Sequence, residues 1–143
     1  MTAMTANKAL VAAFIGALND QDWEKLRTLC SPGYVHHAPR VPASDLATYV
    51  QTAGRMLSAF PDMVATVEQL VAEGEYVAVR YTARGTHKGV FYGLAPTGRA
   101  VTLRALGIVR VVGGEIVEGW VEFDTGELYA QLQEDDAAGK DDP

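Results

Sequence analysis

Hydrophobic positions in the first sixty residues recur with the spacing of a helix. In residues 5–19, apolar side chains fall at i, i+3, i+4 and i+7, which predicts one buried stripe. A shorter helix is predicted from about Asp22. Ser31-Pro32-Gly33 should break it and lead through a Pro-rich loop that ends near Pro42. A third helix is predicted from an N-cap at Ser44 to Pro61.

After residue 62 the period of the pattern changes from 3.6 to 2. Strands are predicted at about 63–72, 75–85, 100–112 and 115–123, with a tight turn at Gly113-Gly114. Asp124, followed three residues later by Glu127, matches a capping box, so we expect a structural cap at the start of a helix that ends near Gln133. This order of elements predicts an α+β fold, in which a curved antiparallel sheet is covered by N-terminal helices. We expect one domain over residues 1–133 and an acidic disordered tail over residues 134–143.

Alternation along the three long strands separates an apolar face from a mixed face. The apolar face should lie under the helices, and its small middle residues could leave an apolar pocket. On the mixed face, three arginines (Arg80, Arg104 and Arg110) could form cross-strand ion pairs with Glu118 and Glu122. That face also carries Leu106, Ile108 and Trp120, which predicts a homodimer packed through it. The alternative is a solvent-exposed amphipathic face.

Charge and cysteine content exclude several classes of partner and location. The formal net charge is −6, no basic face is evident, and nucleic acid is therefore not expected as a partner. No apolar run approaches the ~20 residues that span a bilayer. The single cysteine, Cys30, has no disulfide partner in the chain and indicates a structural thiol in a cytoplasmic protein.

Four stretches give the chain a likeness to a known family. They are Tyr34-Val35-His36-His37-Ala38-Pro39, the run from Gly85 to Gly93, Pro96-Thr97-Gly98-Arg99, and the segment from Gly114 through Trp120 and Asp124 to Leu132. Through them, residues 8–133 resemble the SnoaL-like polyketide cyclases of the nuclear transport factor 2 superfamily. The resemblance implies a cone-shaped α+β barrel, commonly dimeric, that binds a small polyketide-type substrate and needs no metal or organic cofactor.

The family's usual catalytic residues do not carry over. The aldol cyclases place an Asp general base and a His on the last strand, at positions that match Val121 and Gly119 here, and a further His at the position of Gly107. Valine cannot remove a proton alpha to a carbonyl. The resemblance therefore implies the pocket but not the aldol mechanism.

Other residues become candidates for the site. His37 matches a family histidine next to the pocket rim, and His87 matches a family position on the turn before Gly89. Tyr34 could donate a hydroxyl to a carbonyl, so these three are the candidate catalytic residues. His36, next to His37, should point the other way. The adjacent histidines lack a third ligand for a metal.

Residues 89–99 are predicted to form a mobile rim loop that closes over a ligand. The predicted substrate-binding residues are Phe14, Leu18, Tyr49, Met56, Phe60, Tyr81, Phe91, Leu103, Ala105, Gly107, Gly119 and Val121.

Three functions fit these observations. The first is a cyclase that acts mainly by shaping an apolar polyketide-type substrate, as in a cycloaddition. The second is an acid–base cyclase, isomerase or epoxide-opening enzyme with His37 as base. The third is a small-molecule-binding protein without catalysis.

Overall fold

The computed structural model of the chain describes residues 2–133. Its helices are α1 (Ala3–Asp20), α2 (Trp23–Leu29), α3 (Leu46–Ala59) and α4 (Thr125–Gln133). Its strands are β1 (Cys30–His37), β2 (Ser44–Asp45), β3 (Val64–Glu73), β4 (Tyr76–Thr86), β5 (Ala100–Val112) and β6 (Glu115–Phe123). The predicted tail, residues 134–143, lies outside the described residues. No helix within residues 2–133 has both the length and the apolarity needed to cross a membrane.

The strands form one curved sheet in the order β2-β1-β6-β5-β4-β3. As predicted, β3 to β6 form an antiparallel meander, and the α+β fold is confirmed. The strand β1, however, pairs with β6 in parallel, so the sheet is mixed and not wholly antiparallel. This pairing brings residues near the start of the chain beside the last strand.

As predicted, α2 ends just before Ser31-Pro32-Gly33 and a loop follows His37, but Pro32 and Gly33 themselves are part of β1. Cys30 pairs with Ile116 and Val35 with Glu118, so five steps on β1 match two on β6. This irregularity takes Pro32 and Gly33 out of the regular ladder, where a proline would lack its donor. Regular pairing resumes at Val35.

Side-chain caps fix where the helices begin. The N-cap of α3 is Asp45, whose Oδ1 accepts a hydrogen bond from the Thr48 N–H at 2.8 Å. The prediction of Ser44 as the cap was wrong, because Ser44 pairs with His36 in the short β1–β2 ladder. For α4 the expected structural role of Asp124 is confirmed, since its Oδ1 accepts from the Glu127 N–H at 2.9 Å.

The two faces of the sheet follow the predicted alternation, and we call them the inner and outer faces. Inner residues such as Val77, Val79 and Leu103 are buried. The alternation on β6 is interrupted at one position, since strict alternation from Gly119 would turn Val117 inward. A register shift on β5 and β6 pairs Ile116 with Val111 instead, and Ile116 is therefore the buried residue.

The buried core is divided into two clusters. The first joins α1, α2 and β1 to one end of the sheet, and the second joins the end of α3 to α4 and the other end of the sheet. Ala65 packs against both clusters, whereas the buried Ala105 belongs to neither. The middle of the inner face therefore lies between two packed regions.

Candidate functional site

The middle of the inner face lies beneath α3 and is not sealed. Tyr49 of α3 packs against the first cluster and Met56 against the second, so the helix passes from one to the other. On the sheet, Tyr81, Val121 and Phe123 point inward yet remain half-buried. Apolar side chains that are only partly buried, on α3 and on the sheet, mark this region as the candidate binding site. We call it the inner cleft, and it is lined by Tyr49, Val50, Met56, Tyr81, Val121 and Phe123.

The predicted substrate-binding residues divide between this cleft and the core. Leu18, Tyr49, Met56, Tyr81 and Val121 are half-buried. The others that carry side chains are packed inside the protein: Phe14, Phe60, Phe91, Leu103 and Ala105. An enclosed apolar pocket therefore stays a prediction.

The two glycines expected to leave empty space do not do so. A Cβ at Gly119 would lie 2.6 Å from the Tyr34 hydroxyl oxygen, so that phenol fills the space. A Cβ at Gly107 would lie 3.0 Å from the Trp120 carbonyl oxygen. The expectation that Gly107 and Gly119 line a ligand site was therefore wrong, because protein atoms already occupy those positions.

The parallel register of β1 decides which histidine faces inward. His36 is the partner of Gly119 and lies on the inner face, while His37 is the partner of Trp120 and lies on the outer face. The prediction that His37 borders the pocket was wrong, since residues one apart on a strand point to opposite faces. The same alternation could have identified His36, because it shares a face with Tyr34.

Tyr34, His36 and Tyr49 form a compact group at one end of the inner cleft. The Tyr34 hydroxyl lies 2.8 Å from His36 Nδ1. The His36 and Tyr49 ring centroids are 4.2 Å apart, and those of Tyr34 and Tyr49 are 5.9 Å apart. Tyr34 is 3% exposed. The group therefore places a histidine and two phenols in a mostly apolar surrounding.

Burial shifts the titration of every member of this group. It lowers the pKa of His36 to about 4, with a smaller contribution from the neighbouring His37. Burial also raises the pKa of Tyr34 and of Tyr49 well above the ordinary value of a phenol, and it raises the pKa of Tyr81 to about 12. All four side chains are therefore neutral near pH 7.

His37 belongs to an outer-face cluster instead. Its Nε2 lies 2.6 Å from Glu118 Oε2, and its ring stacks on Trp120 with centroids 5.1 Å apart. Arg110 pairs with Glu75 at 3.0 Å. Arg110 and Glu118, which are opposite each other on β5 and β6 and belong to the set predicted to form cross-strand ion pairs, are in contact with Glu75 and His37 instead.

His87 is fully buried outside the inner cleft. Its Nδ1 accepts a hydrogen bond from the Thr97 N–H at 3.2 Å, and its ring lies 5.4 Å from that of Phe60. Phe91, from the same loop, also packs on Phe60. The side chain of His87 thus braces the rim loop, and the prediction of Phe91 as part of a mobile lid was wrong because Phe91 is anchored in the second cluster.

A separate cavity of about 400 Å³ lies between β5 and α4. Two of its polar side chains, Gln131 and Asp124, already serve the fold. Gln131 accepts from the Thr102 N–H and donates to the Thr102 carbonyl, both at 2.8 Å, and Asp124 caps α4. Within the part of the chain that the structure describes, no three His, Cys, Asp or Glu side chains are grouped as metal ligands would be.

Comparison with known proteins gives a consistent family and fold. The model of the SnoaL-like polyketide cyclases matches residues 8–132. IdmH from Streptomyces antibioticus, named a candidate polyketide cyclase, is 36% identical, with a TM-score of 0.81 over 88% of this chain and 97% of its own. AclR from Streptomyces galilaeus, named a candidate hydroxylase, is 32% identical, with a TM-score of 0.84 over 91% and 97%. A candidate SnoaL-like polyketide cyclase from Jannaschia sp., 18% identical, shares the fold at a TM-score of 0.86 over 94% and 97%. No protein of curated function matched the sequence.

The low pKa of His36 predicts an acid-sensitive fold. His36 is neutral when folded and binds a proton more readily when unfolded, so its contribution to stability is lost as pH falls from 6.5 toward about 4. We expect protonation of His36 to lower the free energy of unfolding by about 2–3 kcal/mol as the pH falls across that window. Denaturant titrations of wild type and His36→Gln at several pH values would measure the difference.

His37→Gln is the matched control for this titration. Because His37 lies on the outer face, its variant should keep the acid-dependent loss that His36→Gln removes. Equal pH dependence in wild type and His36→Gln would show that His36 is not buried as described.

Proposed function

The chain belongs to the SnoaL-like polyketide cyclase family, as its motifs predicted, and we propose that it closes a ring in a polyketide-type intermediate bound in the inner cleft. The proposal follows the family and the relative named a candidate polyketide cyclase. The finer assignment, a cyclase that acts mainly by shaping an apolar substrate, rests on the chemistry of the inner face.

One observation carries this assignment: within residues 2–133, the inner face of β4, β5 and β6 offers apolar contact and no carboxylate. Along β4, β5 and β6, every inward position is an apolar residue, a tyrosine or a glycine. Glu118 and Glu122 pair with Arg110 and Leu106 on the outer face, and Asp124 caps α4. A general-base mechanism that needs an inward Asp or Glu therefore has no residue to perform it.

An apolar cleft suits a reaction whose barrier is mostly conformational. In a cycloaddition, two π bonds of the substrate become two σ bonds and every atom is retained, so no oxidant, external base or cofactor is consumed. Holding a flexible chain with its reacting carbons in contact removes several kcal/mol of entropic barrier, on the order of 7–11 kcal/mol in the best cases. The protein supplies that restriction through the side chains of α3 and the sheet.

The alternative with His37 as general base loses its support. His37 lies on the outer face, stacked on Trp120 and paired with Glu118, so it cannot reach a substrate in the inner cleft. Binding without catalysis remains the competing function, and the experiment below separates the two because a binder returns its ligand unchanged.

Filling the cleft should slow cyclisation without unfolding the protein. We expect wild type to convert at least one linear polyene thioester, carrying a conjugated diene and an alkene, into a ring isomer, detected by chromatography and NMR of the products. Val121→Phe should reduce that turnover at least about tenfold, because the added ring occupies the space where substrate packs. Val112→Phe, on an exposed valine at the far end of β5, is the control and should retain activity.

Return of every bound thioester unchanged by wild type would contradict the cyclase and favour the binding protein. Equal turnover in wild type and Val121→Phe would place the reaction outside the inner cleft.

We also propose that the outer face joins two copies of the chain. One register row across the sheet is apolar or aromatic: Val71, Ala78, Ile108, Trp120 and His37 are successive partners. Val71 and Ile108 are 54% and 45% exposed. An exposed row of this kind is typical of an interface. Its charged flanks would limit the pairing to one orientation.

A charge placed in this row should separate the two copies. We expect wild type to sediment as a dimer and Ile108→Lys as a monomer, because a buried lysine without a partner opposes association. Val41→Lys, at an exposed loop valine, should remain dimeric. A monomeric wild type at micromolar concentration would contradict the proposed interface.

The cysteine supports a cytoplasmic location, which we also propose. Cys30 is 4% exposed, and burial, with a smaller effect of Glu115, raises the pKa of its thiol to about 12. The thiol is therefore unreactive and behaves as a small apolar side chain in the first cluster.

A further inference from the structure

We propose that Tyr34 and His36 form a neutral hydrogen-bond donor pair, in which His36 Nε2–H binds a carbonyl oxygen of the substrate. The inference deepens the proposed cyclase function and rests on it for the identity of the substrate. It adds an imidazole N–H to the phenol hydroxyls of Tyr49 and Tyr81 in the inner cleft. It is carried by the position, the hydrogen bonding and the surroundings of His36.

The pairing of β1 with β6 determines the position of His36. His36 lies beside Gly119 on the inner face, and the missing side chain at Gly119 leaves room for the Tyr34 hydroxyl. Tyr49 holds the imidazole from the α3 side, with ring centroids 4.2 Å apart. The His36 ring is thus fixed between β1 and α3, at the end of the inner cleft where Tyr49 forms the wall.

The hydrogen bonding determines which nitrogen carries the proton. Tyr34 is 3% exposed, and the one partner of its hydroxyl is His36 Nδ1 at 2.8 Å. A buried hydroxyl gives its proton to the acceptor within reach, since an unpaired O–H costs about 1–3 kcal/mol. Tyr34 therefore donates to Nδ1, and the neutral imidazole carries its proton on Nε2.

The Nε2–H of His36 remains available to a ligand. Among the described residues, His87 Nε2 is the buried side-chain polar atom that lacks a hydrogen-bond partner. His36 Nε2 has no protein partner among the described residues either, but the side chain of His36 is only partly buried, whereas His87 is fully buried. An N–H without a protein partner, on the inner face beside apolar side chains, is suited to a carbonyl or enolate oxygen.

The groups around His36 favour the neutral imidazole. Tyr34 and Tyr49 face it, and both are neutral near pH 7 because burial raises the pKa of each phenol. His37 is its chain neighbour, and Glu118 is paired to His37 on the opposite face. No carboxylate faces His36 from β1, β6 or α3 within the described chain to stabilise an imidazolium. The donor keeps its proton throughout, so the pair polarises the substrate and does not act as a base.

Nitrogen-15 NMR of the histidine rings tests the tautomer without any substrate. We expect His36 of the wild-type protein to be protonated on Nε2, with Nδ1 as acceptor, from about pH 8 down to about pH 5. Tyr34→Phe should lose that single tautomer, because the hydroxyl that fixes it is gone. A proton on His36 Nδ1 in wild type would overturn the proposal.

A ketone probe tests the donor itself. 2-Tetralone presents a carbonyl on an apolar bicyclic frame, and tetralin is the same frame without the carbonyl. We expect 2-tetralone, but not tetralin, to shift the His36 Nε2–H proton downfield, with His37 and His87 unchanged. Equal shifts from both compounds, or no shift from either, would contradict carbonyl binding at His36.

Kinetics with the thioester identified in the turnover screen separates a donor from a base. His36→Phe should lower kcat about 100-fold with little change in KM, whereas His36→Gln, which keeps an N–H, should lose no more than about tenfold. His37→Phe on the outer face should stay within about twofold of wild type. Equal losses in the Phe and Gln variants of His36 would overturn the donor role in favour of a base.

Failure of this pair is distinguishable from failure of the cyclase assignment. A protein that cyclises thioesters but carries its His36 proton on Nδ1 refutes the pair alone. A protein that shows the predicted tautomer and ketone shift but converts no thioester refutes the cyclase alone.

Discussion

The parallel pairing of β1 with β6 is the constraint on which the site depends. It aligns Val35, His36 and His37 with Glu118, Gly119 and Trp120, and thereby assigns each side chain of β1 to one face of the sheet. A slip of one residue would reverse every assignment. His37 would then enter the apolar interior, and His36 would meet Glu118. The irregularity around Pro32 and Gly33 sets this register, so a segment that looks like a loop in the sequence determines the chemistry of the cleft.

The interior built on this register combines polar groups with an apolar surrounding. A phenol and an imidazole buried together would be costly if unpaired, and their mutual hydrogen bond removes most of that cost. Gly119 is what permits the bond, because a side chain there would displace the Tyr34 hydroxyl. The same burial that lowers the pKa of His36 leaves it neutral and able to donate. The predicted loss of stability in acid and the proposed polarisation of a substrate therefore have a common origin in the burial of His36.

Much of the fold could be predicted from the sequence, because its signals are local. Strands β4 to β6 follow a strict alternation, and the Asp124 cap depends on residues three apart. The site was harder, because it depends on pairing between distant segments. Tyr34 and His36 lie in a strand that was not predicted, because it contains Pro32 and Gly33, which are typical of turns. Small residues such as Gly107 and Gly119 indicated empty space, whereas a carbonyl and a phenol from elsewhere fill it. Glu118 was expected to pair with an arginine of the same face, but His37 approaches it from β1. The alternation of residues along β5 and β6 cannot show that β1, a strand that was not predicted, places its side chains next to them.

The central claim is that His36 lies on the inner face of the sheet and His37 on the outer face. Nuclear Overhauser effects between ring protons test this directly. The account predicts cross-peaks from His36 to Tyr34 and Tyr49, and from His37 to Trp120, because the corresponding centroids lie 4.2–6.0 Å apart. Cross-peaks from His37 to Tyr49, with His36 contacting Trp120, would contradict it.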